Sequence, residues 1–308
     1  MLLPAESVIE VRDLRMSYGA KTVLDGVDFD VRRGEVVCLL GPNGAGKTTT
    51  IEILEGFRMR SAGHVMVLGA DPEHSSEDWR ARTGVVLQSW RDHPRWTPCR
   101  LLTQLGAFYE PYSTPHVERP MDVGRLIDMV GIAESADQKI VTLSGGQRRR
   151  LDVAVGIVGR PELLFLDEPT AGFDPRARRE FHALVHRLAD LEQTTILLTT
   201  HDLDEAEKLA DRILILAGGR IVADGSAEQL ARRVAVAAEV RWSVRGETFV
   251  HSTEDATGFV RALLAQHGDD VADLEVRRAS LEDTYISLVH GYESGDRTTL
   301  DHVFAEAG

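Results

Sequence analysis

The chain has 308 residues, a formal net charge of −14, 43% apolar and 27% charged residues. That is ordinary globular usage and enough chain to bury a sizeable core, so disordered, collagen-like and fibrous classes are excluded. Two cysteines, Cys38 and Cys99, give neither a disulfide scaffold nor a metal-ligand spacing, and the acid excess argues against non-specific nucleic-acid binding.

Residues 7–13 alternate as a strand with one wet face, and 22–31 and 65–68 read the same way, which predicts an antiparallel patch. Val36-Val37-Cys38-Leu39-Leu40 differs: it is apolar throughout and ends in glycine, as are Leu163–Leu166 and Ile196–Leu198 in their apolar character. Such strands, alternating with helices, predict a parallel sheet covered on both faces. Residues 89–142 hold Trp90, Trp96, Tyr109 and Tyr112, several prolines and helical stretches near 100–109 and 122–131, and read as a helical insertion. Over 176–190 the residues Phe181, Leu184, Val185 and Leu188 fall at i, i+3, i+4 and i+7, one helical stripe. Arg212–Ala217, Gly218-Gly219 and Arg220–Ala223 spell a hairpin. Beyond 230, strands are expected at 236–243 and 271–277 and helices at 255–266 and 280–290, a small second α+β domain, with a loose polar tail at 292–308. No apolar run approaches the ~20 residues of a membrane span, and the short start is no signal peptide, so a reducing cytoplasm is expected.

Gly41-Pro42-Asn43-Gly44-Ala45-Gly46-Lys47-Thr48, followed by Thr49, matches a phosphate-binding loop. Glycines let backbone N–H groups turn toward phosphate oxygens, and the following helix adds its positive dipole end. Lys47, one of only four lysines among 35 basic residues, reaches the β and γ phosphates, and the Thr48 hydroxyl takes Mg²⁺. The apolar run Leu163–Leu166 ends in Asp167 and Glu168 at the carboxyl end of a strand, where open α/β sheets bind ligands. Asp167 suits the Mg²⁺ shell, and Glu168 suits polarisation of an attacking water.

Leu143-Ser144-Gly145-Gly146-Gln147 completes the set. Together with the loop and the Asp-Glu strand, it resembles the ATP-binding-cassette (ABC) ATPases, in which it is the signature motif. The resemblance covers residues 7 to about 225. It implies a P-loop NTPase fold of the α/β class, with an antiparallel β subdomain and a helical subdomain over about 89–160, within a cassette spanning 7–230. It further implies ATP hydrolysis with ATP and Mg²⁺ as cofactors. Tyr18 matches the adenine-stacking aromatic, and Gln88 the glutamine that senses Mg²⁺ and the attacking water. Ser144, Gly145, Gly146 and Gln147 match the group that approaches the γ-phosphate held by another subunit. Ala171-Gly172-Phe173-Asp174 matches the dimer-contact loop, with Phe173 where leucine is usual. His201 matches the histidine on the γ-phosphate.

Trp96-Thr97-Pro98-Cys99-Arg100 departs from the family, placing Arg100 where an acid is usual, near the surface that meets the membrane partner. Residues 231–308 resemble, less specifically, the C-terminal extension of the daunorubicin-resistance-like exporter branch, through Ser280-Leu281-Glu282-Asp283-Thr284-Tyr285, with a small α+β domain expected over 231–291. The resemblance implies a homodimer with ATP at its interface, a separate integral membrane permease, a peripheral place on the cytoplasmic side of the membrane, and no nucleic-acid partner. A cassette switch acting on nucleic acid or ribosomes is the alternative; such proteins usually carry paired cassettes or long insertions.

Overall fold

The computed structural model describes residues 6–86, 93–234, 238–244, 247–253, 255–277, 281–282, 285–286 and 289. Contacts divide the chain into two compact units, Met1–Ile221 and Val222–Gly308, so the change comes earlier than the compositional shift near 230.

The first unit opens with long antiparallel strands β1 (Ser7–Tyr18) and β2 (Lys21–Arg32), then β3 (Val36–Leu40), helix α1 (Lys47–Leu54) and β4 (Ala62–Val67). β1 sits between β2 and β4 in an antiparallel sheet. Next come α2 (Glu77–Ala81), β5 (Thr83–Val86), α3 (Pro98–Gly106), α4 (Val123–Val130), α5 (Gly145–Ile157), β6 (Leu163–Asp167), α6 (Pro175–Glu192), β7 (Thr195–Thr200), α7 (Leu203–Leu209), β8 (Arg212–Ala217) and β9 (Arg220–Gly225). Strands assemble in the order β5-β6-β7-β3-β8-β9, with the ladders from β5 through β8 parallel. The boundary between the two units falls inside β9. Every residue of β3 and β7 is buried, as a sheet covered on both faces requires.

Local chemistry fixes the helix ends. Asp174 caps α6 by accepting from the N–H groups of Arg176 and Ala177, and Pro175 occupies its first turn. The expected stripe Phe181, Leu184, Val185 and Leu188 is 1–2% exposed. Thr97 caps α3 with Pro98 behind it, and Asp122 caps α4, which ends at the left-handed Gly131 (φ 72°). The antiparallel sheet and the parallel sheet share one core: Leu14, Leu24 and Val65 meet Ile51 and Leu54 of α1 and Phe165, Leu197 and Leu214 beyond. α5 runs close to β5, because a Cβ on Gly156 would lie 2.6 Å from Val86 Cγ2, and one on Gly84 would strike the Gly156 carbonyl.

The second unit contains α8 (Ala227–Val234), β10 (Ala238–Val244), β11 (Glu247–Thr253), α9 (Ala256–His267) and β12 (Val271–Arg277). β10 is the centre of an antiparallel sheet of order β11-β10-β12. Trp242, Phe249, Phe259 and His251 pack as a ring cluster, with centroids 4.3–5.6 Å apart, between this sheet and α9. β11 and α8 were not among the sequence expectations. Much of the expected 280–290 helix, including Ser280, Asp283 and Thr284, and all of 292–308 lie outside the described residues.

One buried acid stands out in the first unit. Glu55, the C-cap of α1, is 9% exposed. Burial, then the nearby carboxylates Asp167 and Glu52, push its carboxyl up to about 8. Between the unfolded value near 4.5 and about 8 the folded chain keeps a proton that the unfolded chain has lost, so stability falls as pH rises through that window. In nucleotide- and metal-free buffer, Glu55→Gln should remove this slope and stabilise the fold by about 4 kcal/mol at pH 8, each tenfold change in proton affinity being worth about 1.4 kcal/mol. Urea unfolding of both chains at pH 5 and pH 8 checks it; equal pH dependence in the two would count against a buried, protonated Glu55.

Candidate functional site

The parallel strands deliver the chemistry at their carboxyl ends. β3 stops at Leu40, and the chain turns through Gly41–Gly46 into α1, whose first residue is Lys47. Gly44 (φ 84°) and Gly46 (φ 110°) are left-handed, a conformation that glycine adopts without penalty. Gly41 could carry no side chain, since a Cβ there would strike the Leu216 carbonyl. Lys47 is 5% exposed, and its Nζ donates to the carbonyls of Gly41 (2.8 Å) and Pro42 (3.2 Å). A buried ammonium needs such partners. Its counter-charge is Glu168, whose Oε1 lies 3.5 Å away. The same Oε1 lies 3.3 Å from Nδ1 of His201, at the end of β7. Lys47 and His201, far apart in sequence, therefore converge on one carboxylate oxygen of Glu168.

Beside them, the Thr48 hydroxyl donates to Asp167 Oδ2 (3.1 Å). A hydroxyl and a carboxylate together suit a hard cation that takes its remaining ligands from phosphate and water. Among the described residues, no group of three or more His, Cys, Asp or Glu is placed to hold a metal by itself. Thr49 is half-buried in the first turn of α1. Tyr18 is 43% exposed at the end of β1, with the Arg58 guanidinium 5.2 Å from its ring centroid. Gln88 lies outside the described residues.

Ser144 to Gln147 form the start of α5. Ser144 accepts from the Gln147 N–H (3.3 Å) while the Gln147 side chain accepts from the Ser144 N–H (2.9 Å), a capping box. Gln147 also donates to Ser135 (2.8 Å). These residues line an open cleft of about 1020 Å³ together with Glu168, Gly172 and Asp174. No residue of the 41–48 loop lines it. The structure thus gathers the loop, the acidic pair and His201, and places the signature residues in a cleft that Glu168 shares but no residue of the 41–48 loop lines. Phe173, unusual at its position, packs edge-on against Phe181 with centroids 5.9 Å apart. Arg100, where an acid was the family norm, lies over Trp96 at 4.7 Å from its centroid.

Several contributors were not foreseen. The Thr199 hydroxyl donates to Asp167 Oδ1 (2.5 Å) and accepts from the Glu168 N–H (3.0 Å), holding both acids. Glu168 itself has φ 43°, a left-handed conformation that costs a non-glycine residue about 1–3 kcal/mol and needs such support. Arg149, buried on α5, donates from Nε to the Pro169 carbonyl (2.9 Å), just past Glu168. Burial lowers the Arg149 guanidinium and raises the carboxyl of Glu205, which stands in α7 behind His201. The available signal was the pair Thr199-Thr200: two buried polar residues following the apolar run Ile196–Leu198.

The ABC transporter family profile matches residues 24–171. The chain is 34% identical over 318 residues to the daunorubicin/doxorubicin resistance ATP-binding protein DrrA of Streptomyces peucetius, covering 94% of each. It is 33% identical over 303 residues to Nod factor export ATP-binding protein I of Cupriavidus metallidurans, covering 92% of this chain and 97% of that protein. Among solved structures, an ATP-binding subunit of an ABC transporter is 28% identical with a TM-score of 0.61, covering 73% of this chain and 92% of that one. An ATP-binding cassette of an ABC transporter in its ADP conformation shares the fold, with 24% identity, a TM-score of 0.63, and coverage of 73% of this chain and 92% of that one. Loop, acidic strand end, signature helix and cassette fold coincide with these likenesses, and the chain belongs to the ABC transporter family as an ATPase cassette.

Proposed function

We propose that this chain is the ATP-hydrolysing subunit of an exporter, working as a homodimer with ATP at its interface and driving a separate integral membrane permease from the cytoplasmic face. Its relatives named above serve Nod factor export and daunorubicin resistance, which supports an exporter carrying a drug-like or lipid-like cargo. None of those names points to work on nucleic acid, and the net charge of −14 agrees. Among the described residues no helix is long and apolar enough to cross a membrane, so the transport path falls to another chain.

The observation that carries the reading is the convergence of Lys47, Glu168 and His201 beside the glycine loop. The loop N–H groups and the α1 dipole receive the phosphates. Lys47 leaves Glu168 and the Gly41 and Pro42 carbonyls for the β and γ oxygens. Glu168, freed from Lys47, accepts a proton from the attacking water, and His201 turns its ring to the γ-phosphate. Thr48 and Asp167 would hold Mg²⁺, which neutralises charge on the phosphates. Gln88 adds a polar contact to the same shell, and Tyr18 stacks on adenine. Ser144, Gly145 and Gly146 sit in a cleft free of phosphate-loop residues, so they serve the nucleotide of the second copy. Residues 231–291 form the accessory α+β domain of the division proposed here, and the aromatic 89–142 segment docks the permease.

Lys47→Ala removes a buried cation that makes charge-assisted bonds. ATP affinity measured by calorimetry should fall by about 10- to 100-fold, matching the roughly 1.5–3 kcal/mol of such a bond, and hydrolysis should disappear. Affinity and hydrolysis within a few-fold of the parent chain would remove Lys47 from the site.

Glu168→Gln keeps the shape and loses the base. Hydrolysis should drop by about 10²- to 10⁴-fold while Mg-ATP converts the chain to a dimer on size-exclusion chromatography. A monomer that still turns over ATP at the parent rate would contradict both the base and the dimer.

A further inference from the structure

Behind Glu168 and His201 lies a pocket of about 190 Å³, which Thr170, Arg178, Thr200 and Glu205 also line. Glu205 is 1% exposed. Its Oε2 accepts from the Thr200 hydroxyl at 2.6 Å, and that hydroxyl oxygen accepts from the Asp202 N–H at 3.0 Å. Arg178 donates from Nη1 to Asp202 Oδ2 at 2.6 Å, tying the start of α6 to the start of α7. Two polar atoms remain. Glu205 Oε1 and Arg178 Nε are both buried, and neither makes a well-formed hydrogen bond among the described residues, the Thr170 hydroxyl reaching the Glu205 carboxylate only loosely. One is an acceptor and the other a donor, and both belong to side chains lining the same pocket. Leaving a buried donor or acceptor unpaired forfeits the hydrogen bond that water supplied in the unfolded chain. The pocket is several times the roughly 30 Å³ that a water occupies in the liquid, and a buried water typically makes about three hydrogen bonds.

We propose that this pocket is a built water site, in which ordered water accepts from Arg178 Nε and donates to Glu205 Oε1 and to the carboxylate of Glu168, making Glu205 and Arg178 positioning residues for hydrolysis. The inference rests on the hydrolytic role proposed above for Glu168. One water satisfies all three groups with one lone pair and both hydrogens. Glu168 Oε1 faces Lys47 and His201, and the water holds the second oxygen. The carboxylate is thereby fixed from both sides as Lys47 turns to the phosphates. Arg178 lies on α6, directly after the Ala171–Asp174 loop that faces the signature cleft. Movement of that loop is transmitted to Glu168 through the same water.

Two substitutions address the water from opposite ends. In Glu205→Gln the amide oxygen stays with the donating Thr200 hydroxyl, so the amide N–H₂ turns to the pocket and opposes the Arg178 donor. In Arg178→Lys the cation for Asp202 is kept and the Nε–H is lost; this half-exposed site tolerates the change. With the full chain and Mg-ATP, each variant should lose about tenfold or more in kcat, with KM and calorimetric ATP affinity within about twofold of the parent. The double variant should lose no more than the worse single one, because both act through one water. Parent-like kcat in the single variants, a rise in KM that accounts for the loss, or losses that multiply in the double variant would overturn the shared water. A parent chain that neither binds nor hydrolyses ATP would instead overturn the hydrolytic reading beneath it.

Discussion

A lysine ammonium that is 5% exposed governs the first unit. Removing such a charge from water is costly unless carbonyls and a counter-ion replace the solvent. Here the Gly41 and Pro42 carbonyls and Glu168 do so. That arrangement needs a loop able to fold back over the first turn of α1, hence left-handed Gly44 and Gly46 and a bare Gly41 against Leu216. It also needs the carboxyl ends of β3, β6 and β7 side by side, which the order β6-β7-β3 provides. β3 and β7 are buried throughout and β6 is buried up to Asp167, so close packing sets the strand ends.

The same economy of partners extends outward. Two adjacent threonines end β7 and divide their work: Thr199 holds Asp167 and Glu168, and Thr200 holds Glu205 and the start of α7. Arg149 ties the signature helix to the peptide following Glu168. The signature serine is spent on capping its own helix, so the cleft in front of α5 presents fixed dipoles. That cleft holds Glu168 but no phosphate-loop residue.

Much of this was legible in the sequence because the signals are local. β3 was readable as an unbroken apolar run before glycine, α6 as one 3.6-residue stripe with an Asp-Pro start, and the β8–β9 hairpin from Gly218-Gly219. The loop, acidic and signature motifs each occupy one short stretch. What escaped is of two kinds. β11 is a short strand with an exposed run at Glu247–Val250, and α7 is a short helix rich in acids, so neither shows a clear apolar period. Thr199, Arg149 and Glu205 act through partners that the fold brings together, in the first case 31 and 32 residues apart, and no spacing rule announces them. The Arg100–Trp96 stack likewise explains a departure that sequence alone could only note.

The account turns on Lys47 exchanging its protein partners for phosphate, and a crystal structure of the full chain with Mg²⁺ and a non-hydrolysable ATP analogue measures that exchange directly. It should show Lys47 Nζ on the β and γ oxygens, Glu168 released from Lys47, and Ser144 of a second copy against the γ-phosphate. An analogue bound away from the 41–48 loop, with Lys47 still on Gly41, Pro42 and Glu168, would contradict it.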